Sequence, residues 1–292
     1  MKFRTEYEMR PSERLLDPVE AVVLIGSCFT DSIGKRMVSC RWPAFPNPCG
    51  TLFNPASIAN IIRLALADEQ SVRSAVDASL AERDGLSMSW LVDSGSTKHS
   101  QIDTISSLYE RINSLRSNLA SAATLIVTFG TAWIYELREQ PGYVVSNCHK
   151  FPAGNFVRRR LSVDDIVSEW KSLLDYLKER FPCLRVIFTV SPVRHLKDGF
   201  EGNSRSKAIL QLSCEEICEK CESAEYFPSF EIMNDDLRDY RFYDRDMVHP
   251  SEMAVDYIWE KFQERFLSAE SRAILREGEK ITRRLNHRPI IK

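Results

Sequence analysis

Ala21-Val22-Val23-Leu24-Ile25-Gly26-Ser27-Cys28-Phe29 is the stretch on which the fold turns. Its apolar, β-branched half predicts a strand buried on both faces, as in a parallel sheet covered by helices. Gly26 permits a sharp turn at the strand's exit. The helix that follows offers free N–H groups and the positive end of its dipole to whatever Ser27 carries. Ser27 suits two roles there, a nucleophile at the mouth of a sheet or a helix cap, since serine is a favoured capping residue.

Two later runs repeat the pattern. Ala-Thr-Leu-Ile-Val-Thr-Phe at 123–129 and Leu-Arg-Val-Ile-Phe-Thr-Val at 184–190 are rich in β-branched and aromatic residues, and they end at Gly130 and at Ser191-Pro192. Residues just past such strands face the ligand crevice of an open α/β sheet, which predicts that Ser27, Gly130 and Ser191 share one edge. Helices are expected over 30–40, 55–67, 163–180, 203–220 and 251–267, the third behind a Ser162 cap with Asp164 and Asp165 in its first turn. Alternating strands and helices make this an α/β chain. It reads as a single domain over 1–292, with a polar, Ser-rich insertion at about 68–120 that is helical near 105–119. A basic surface tail follows at about 277–292, whose Ile290 and Ile291 are candidates to dock back.

The 292 residues suffice for a sizeable core, and a formal charge of −2 provides no global field for nucleic acid or anionic lipid. The charged, alternating N-terminus lacks a signal peptide's apolar stretch, and no later run matches a membrane span, so a soluble, cytoplasmic protein is expected. Of eight cysteines, Cys214, Cys218 and Cys221 share helical spacing. Such a trio suits a soft metal or, more simply, a buried small-residue face, because zinc ligands usually come from two separated knuckles. Without a secretory signal no disulfide framework is expected. Arg158-Arg159-Arg160 beside acidic Asp164 and Asp165 reads as a solvated face. Trp133, Trp170 and Trp259 read as packing residues, with Trp133 also placed to line a pocket.

The chemistry gathers around a second motif. In Asp246-Met247-Val248-His249-Pro250 one loop or helical turn can hold both side chains, so that the carboxylate orients the imidazole and stabilises its charged form. Ser27 as nucleophile and His249 as general base, with Asp246 behind it, make an acyl-transfer set split across the chain. A surface Asp-His pair ahead of a capped helix is the simpler alternative.

These residues also carry a family resemblance. Gly26-Ser27-Cys28-Phe29, Asn47-Pro48-Cys49-Gly50 with Phe53-Asn54-Pro55, His99-Ser100, Phe129-Gly130-Thr131-Ala132-Trp133, Asn147-Cys148-His149-Lys150, Ser191-Pro192-Val193-Arg194-His195 and 243–250 together resemble the GSCFA-domain family. The match runs from about residue 3 to 287, with Thr30 where the family's name motif has Ala. That family is similar to the SGNH, or GDSL-like, hydrolases. The resemblance implies a flavodoxin-like three-layer α/β/α fold with a mainly parallel sheet, and a serine esterase or O-acyltransferase acting on an acyl ester of a small molecule or carbohydrate. No organic cofactor is implied, and neither nucleic acid nor membrane is an expected partner.

Carried over residue by residue, the resemblance makes Ser27 the nucleophile, Asp246 and His249 its partners, and the backbone N–H groups of Gly50 and Ser27 the oxyanion donors. Ala132 stands where an oxyanion-stabilising Asn side chain is expected. Gly130, Asn147, His149, Arg194 and His195 are then the candidates to bind substrate or replace that donor, Asn147 equally suiting a turn. Cys28 is a rival nucleophile, and a binding module without turnover is a further alternative. His149 with Asp246 and His249 lacks a compact metal-ligand spacing, so no metal is expected.

Overall fold

The computed structural model describes residues 5–286. Its elements in chain order are β1 (Ala21–Gly26), α1 (Cys28–Ser39), β2 (Ala44–Pro46), α2 (Pro55–Leu66), α3 (Glu69–Ala78), β3 (Leu80–Arg83), β4 (Leu86–Ser89), α4 (Gln101–Ser121) and β5 (Ala122–Phe129). They continue with β6 (Trp133–Leu137), β7 (Val144–Val145), β8 (Phe156–Arg160), α5 (Val163–Arg180), β9 (Arg185–Val190), α6 (Gly199–Lys220), β10 (Ala224–Phe227), α7 (Ser229–Glu231), α8 (Glu252–Phe266) and α9 (Ala269–Asn286). A five-stranded parallel sheet in the order β10-β9-β5-β1-β2 forms the centre, flanked by helices on both faces.

Strand alternation divides the interior into two layers. Val23 and Ile25 of β1, Leu125, Val127 and Phe129 of β5, and Val186, Phe188 and Val190 of β9 face the layer containing α2, α4 and α5. Val22 and Leu24, Ile126 and Ile187 face the opposite layer, with Ile33 and Met37 of α1 and Ile258 and Phe262 of α8. Residues of both parities are apolar because both faces are covered, which is why the strands read as continuous apolar runs.

The sheet order creates the crevice. From β1 the chain steps to β2 on one side, and later returns through β5 on the other, so the order reverses between β1 and β5. Ligands of open α/β sheets bind outside the carboxyl ends of strands at such a reversal. Ser27 and Gly130 are the first residues past those two strands.

Outside the central sheet, β3 pairs with β4, and β6 lies antiparallel between β7 and β8. Trp90, Val145 and Phe156 form a small core there. Segment 68–120 holds more regular structure than its composition predicts. Asp68 caps α3 by accepting from the Ser71 N–H, and Val72 and Val76 are the buried positions of that helix, too few to register as a periodic pattern. Arg158-Arg159-Arg160 is an exposed run within β8, with the Arg158 guanidinium 4.1 Å from the Trp133 ring centre. Helix α9 takes in the first part of the predicted tail; Ile290 and Ile291 lie outside the described residues. Among the described residues no helix is long and apolar enough to cross a membrane, and no group of three His, Cys, Asp or Glu side chains is arranged to hold a metal ion.

Candidate active site

Gly26 sets the geometry at the end of β1. Its φ of +147° is one that L side chains rarely adopt, and a Cβ built there overlaps the Thr128 carbonyl oxygen. Its N–H donates to Asn47 Oδ1 at 2.9 Å, and Asn47 Nδ2 donates to Asp31 at 2.9 Å, tying the strand exit to the β2 turn. Ser27 then occupies the N-cap position of α1 with extended backbone, yet its hydroxyl makes no capping bond. Asn54, Asp68, Ser100, Ser162 and Ser251 all cap their helices through the side chain. The Ser27 side chain is 1 % exposed, and its Oγ has no hydrogen-bond partner at all.

Across the reversal point, a Cβ placed on Gly130 would lie 3.3 Å from Ser27 Cβ. The amides of Gly130 and Thr131 both donate to the Phe53 carbonyl, at 2.8 and 2.9 Å. Three loops, those after β1, β2 and β5, therefore meet at Ser27.

The Asp246–His249 loop approaches from the β9 side. Asp246 Oδ1 accepts from the backbone N–H groups of Val248 and His249, each at 3.0 Å, and Oδ2 accepts from His249 Nδ1 at 2.5 Å. These bonds to its charged form hold the Asp246 carboxyl down at about 2, those from the backbone amides contributing most. An ionised carboxylate can only accept, so Nδ1 carries the ring proton and Nε2 presents its lone pair. The loop is pinned at both ends: Asp244 N donates to the His249 carbonyl at 2.8 Å, and Ser251 N to Phe242 O at 2.8 Å. Arg194 anchors it to the β9 exit. Its backbone N–H donates to Val248 O at 3.2 Å, and its guanidinium donates to Asn234 Oδ1 at 2.8 Å and to the Tyr243 hydroxyl at 3.3 Å. That guanidinium, read from sequence as a substrate contact, spends its Nε and one Nη donor on Tyr243 and Asn234.

Three further sequence-derived assignments meet a different geometry. The Gly50 amide, expected to point at an oxyanion, donates instead to Asn47 O at 2.8 Å and closes the turn after β2; a Gly50 side chain would overlap the Asp93 carboxylate. Ser27 N is bonded to Thr128 O at 3.2 Å. Ala132 is wholly buried in the main core, with its N–H donating to Ser206 Oγ at 2.8 Å, so residue 132 points away from the crevice.

Asn147 and His149 form a separate cluster. Asn147 Oδ1 accepts from the His149 backbone N–H at 2.8 Å, which is the turn role. The His149 ring donates from Nε2 to Ser89 O at 2.7 Å and packs 5.8 Å from Trp90, and burial pulls its pKa down. Asp93 lies between this cluster and Gly50, accepting from Thr51 N at 2.9 Å and paired with Arg111 at 3.2 Å.

Cys28, beside Ser27, is partly exposed, but burial and the Asp31 carboxylate raise its thiol pKa, which keeps it in the less nucleophilic protonated form.

Lys207 is the residue that sequence reasoning missed. It is 1 % exposed, and its ammonium donates to Gly130 O at 2.6 Å and Ser191 O at 2.7 Å, cross-linking the ends of β5 and β9 beneath the crevice. The signal was present: Asn203, Ser206, Leu210, Cys214 and Ile217 form the buried face of α6, and Lys207 sits within that stripe. Burial pushes its pKa from 10.5 down to about 7. Between those values the unfolded chain binds the extra proton, so folding stability rises with pH across that window. The urea midpoint of the wild type is expected to climb from pH 7 to pH 10 relative to Lys207→Met; parallel curves would contradict the assignment.

His195 lies above this lysine. Its backbone N–H donates to Asn203 Oδ1 at 3.0 Å, and its ring meets Phe53 edge-on at 5.8 Å. Burial, then the charges of Lys207 and His249, push its pKa down to about 4, against a weaker hydrogen bond from the ring to the Gly130 backbone.

The GSCFA family model matches residues 21–262. No curated protein matches the chain. Among solved structures, an acetyl esterase mutant bound to acetate ion is similar at 10% identity, covering 90% of this chain and 99% of that one, with a TM-score of 0.33. A carbohydrate esterase family 3 protein from Talaromyces cellulolyticus is similar at 10% identity over 88% and 99% of the two chains, TM-score 0.32. An acetyl xylan esterase from the rumen bacterium Butyrivibrio proteoclasticus is similar at 13% identity over 84% of this chain and 63% of that one, TM-score 0.36.

Proposed function

Because this chain belongs to the GSCFA family, we propose that it is a serine-dependent esterase or O-acyltransferase whose substrate is an O-linked acyl ester, with carbohydrate esters among the first to test. Ser27 attacks the acyl carbon. Its Oγ–H proton passes to His249 Nε2 while the carbonyl π electrons move onto oxygen. Collapse of that tetrahedral species breaks the ester C–O bond, and the leaving alkoxide takes the proton back from His249. Water, or an acceptor alcohol, repeats the sequence on the acyl-Ser27 bond and restores both residues. Asp246 keeps the imidazole in the tautomer this needs and stabilises its charged form.

Ser27's own hydroxyl carries the assignment: it occupies an N-cap without capping and is bonded to nothing. A hydroxyl with no structural bond to make is free for chemistry, and nucleophile–base hydrogen bonds tighten in the substrate complex. Burial of the same hydroxyl favours one second reading, a ligand-binding module without turnover.

p-Nitrophenyl acetate hydrolysis separates these readings and the thiol alternative. Cys28→Ala is expected to keep kcat within about threefold of wild type, and Asp246→Asn to lose about ten-thousandfold, the cost of a wrong imidazole tautomer in a serine triad. Loss in Cys28→Ala alone would assign the thiol, and no turnover by folded wild type would assign the binding module.

A further inference from the structure

The arginine run of β8 is divided between the two faces of its small sheet. Trp133 lies opposite Arg160 and Tyr135 opposite Arg158, so these four side chains share one face, while Arg159, opposite Ile134, takes the other. The acids near the run go to Arg159, whose guanidinium bonds Glu136 at 2.7 Å and pairs with Asp165 at 3.6 Å. On the aromatic face the Arg158 guanidinium lies 4.1 Å from the Trp133 ring centre and 5.5 Å from that of Tyr135, and it pairs with Asp198. Arg160 stands 5.6 Å from the Trp133 centre, and the Lys197 ammonium 5.0 Å from that of Tyr135. Among the described residues neither Arg160 nor Lys197 forms an ion pair. Three cations, Arg158, Arg160 and Lys197, against the one carboxylate of Asp198 leave this face with a charge of +2.

Two tethers bring the face to the crevice. Trp133 is three residues past Gly130, at most roughly 11 Å of chain, and a Cβ on Gly130 would lie 3.3 Å from Ser27 Cβ. Lys197 follows His195 by two residues. The His195 ring meets Phe53 at 5.8 Å, and the Phe53 carbonyl accepts the Gly130 amide at 2.8 Å. These cations therefore reach the distal part of a molecule bound at Ser27, not its reacting carbonyl. Because Ser27 is 1 % exposed, the part that extends outward to an exposed wall is the alcohol.

We infer that the ester substrate carries an anionic group, a carboxylate or a phosphate, on its alcohol part, and that Arg160 and Lys197 bind that group beside Trp133 and Tyr135. This deepens the esterase reading above and rests on it. The Arg160 guanidinium offers a planar fork of N–H donors matched to two oxygens of either anion. Lys197 spends one of its three N–H donors on the Tyr135 hydroxyl at 2.7 Å and keeps the others as a point charge. The two rings hold the cations in place from behind.

Acetate release is compared for three disaccharide acetates that differ only at the 6-position of the ring away from the ester: a glucoside, its glucuronide and its 6-phosphate. For the wild type at low salt, kcat/KM for at least one anionic ester is expected to exceed that for the neutral one by about tenfold or more, mainly through KM. Added sodium chloride should narrow the ratio, since exposed charges are screened. In the double variant Arg160→Gln/Lys197→Gln, which alters two exposed side chains, the ratio is expected to fall to within about twofold of one. A wild-type ratio near one, or a ratio that survives in the double variant, overturns the proposal. Whichever anion is preferred identifies the group, and either preference supports the inference. Folded wild type that releases no acetate and takes up no fluorophosphonate overturns the esterase reading and this inference with it, whereas a labelled enzyme that gains nothing from the charge overturns this inference alone.

Discussion

Ser27→Ala is expected to lower kcat/KM for an acyl ester by at least about a thousandfold, and His249→Ala to lower it by a similar factor, with both proteins folded. The hydroxyl removed makes no hydrogen bond in the fold, so its loss leaves nothing unpaired. His249 is similarly expendable to the structure: its side chain is 46% exposed, and its ring bonds to the comparably accessible Asp246. Residues acting as one unit are not additive, so the double variant should be no slower than the worse single one. Circular dichroism melts within a few degrees of wild type are the control. A Ser27→Ala enzyme that keeps its rate would remove Ser27 from the chemistry.

Gly26→Ala is expected to cost the largest share of stability of any one-carbon change near the site. The backbone at Gly26 has a φ that L residues rarely adopt, and the added methyl would overlap the Thr128 carbonyl, a backbone atom of the central sheet that cannot rotate away. Either the β1–β5 register gives or the turn into α1 does. Strain of this kind costs about 1–3 kcal/mol before the clash is counted, so a loss of about 3 kcal/mol and a fall in melting temperature of roughly 6–10 °C are expected. The same shift would displace Ser27, so activity should fall further than stability alone explains. A Gly26→Ala protein with unchanged melting temperature and rate would contradict the geometry assigned to this turn.

How much of this was legible in the chain follows from which forces are local. The runs ending at Gly26, Phe129 and Val190 could be read because strands covered on both faces are apolar on both parities at most positions, with threonine, itself a strand former, as the main polar residue. Val163–Arg180 was legible from its cap, and Ser162 and Asp165 do form a reciprocal capping box. Ala44–Pro46 was not: three residues ending in proline, paired only with β1, carry no pattern. Trp133–Leu137 and Phe156–Arg160 escaped because arginines stacked on Trp133 and Tyr135 cover that small sheet, so the strand reads as a solvated basic run. Within the site, residue types were readable and their commitments were not. Whether the Gly50 amide is free depends on a turn closed by Asn47, and whether residue 132 faces crevice or core depends on Ser206, 74 residues away. Lys207 lies within the buried stripe of α6, but its charge argues for the surface, and only the two strand-end carbonyls that receive it decide between the two.

Intact-mass analysis after treatment with a fluorophosphonate tests the central claim most directly, with wild type, Ser27→Ala and His249→Ala compared at matched folding. A single adduct on the wild type, mapped to Ser27 and lost in both variants, is the predicted result. Folded wild type that takes up no adduct, or an adduct that survives Ser27→Ala, would contradict an activated Ser27 at the head of α1.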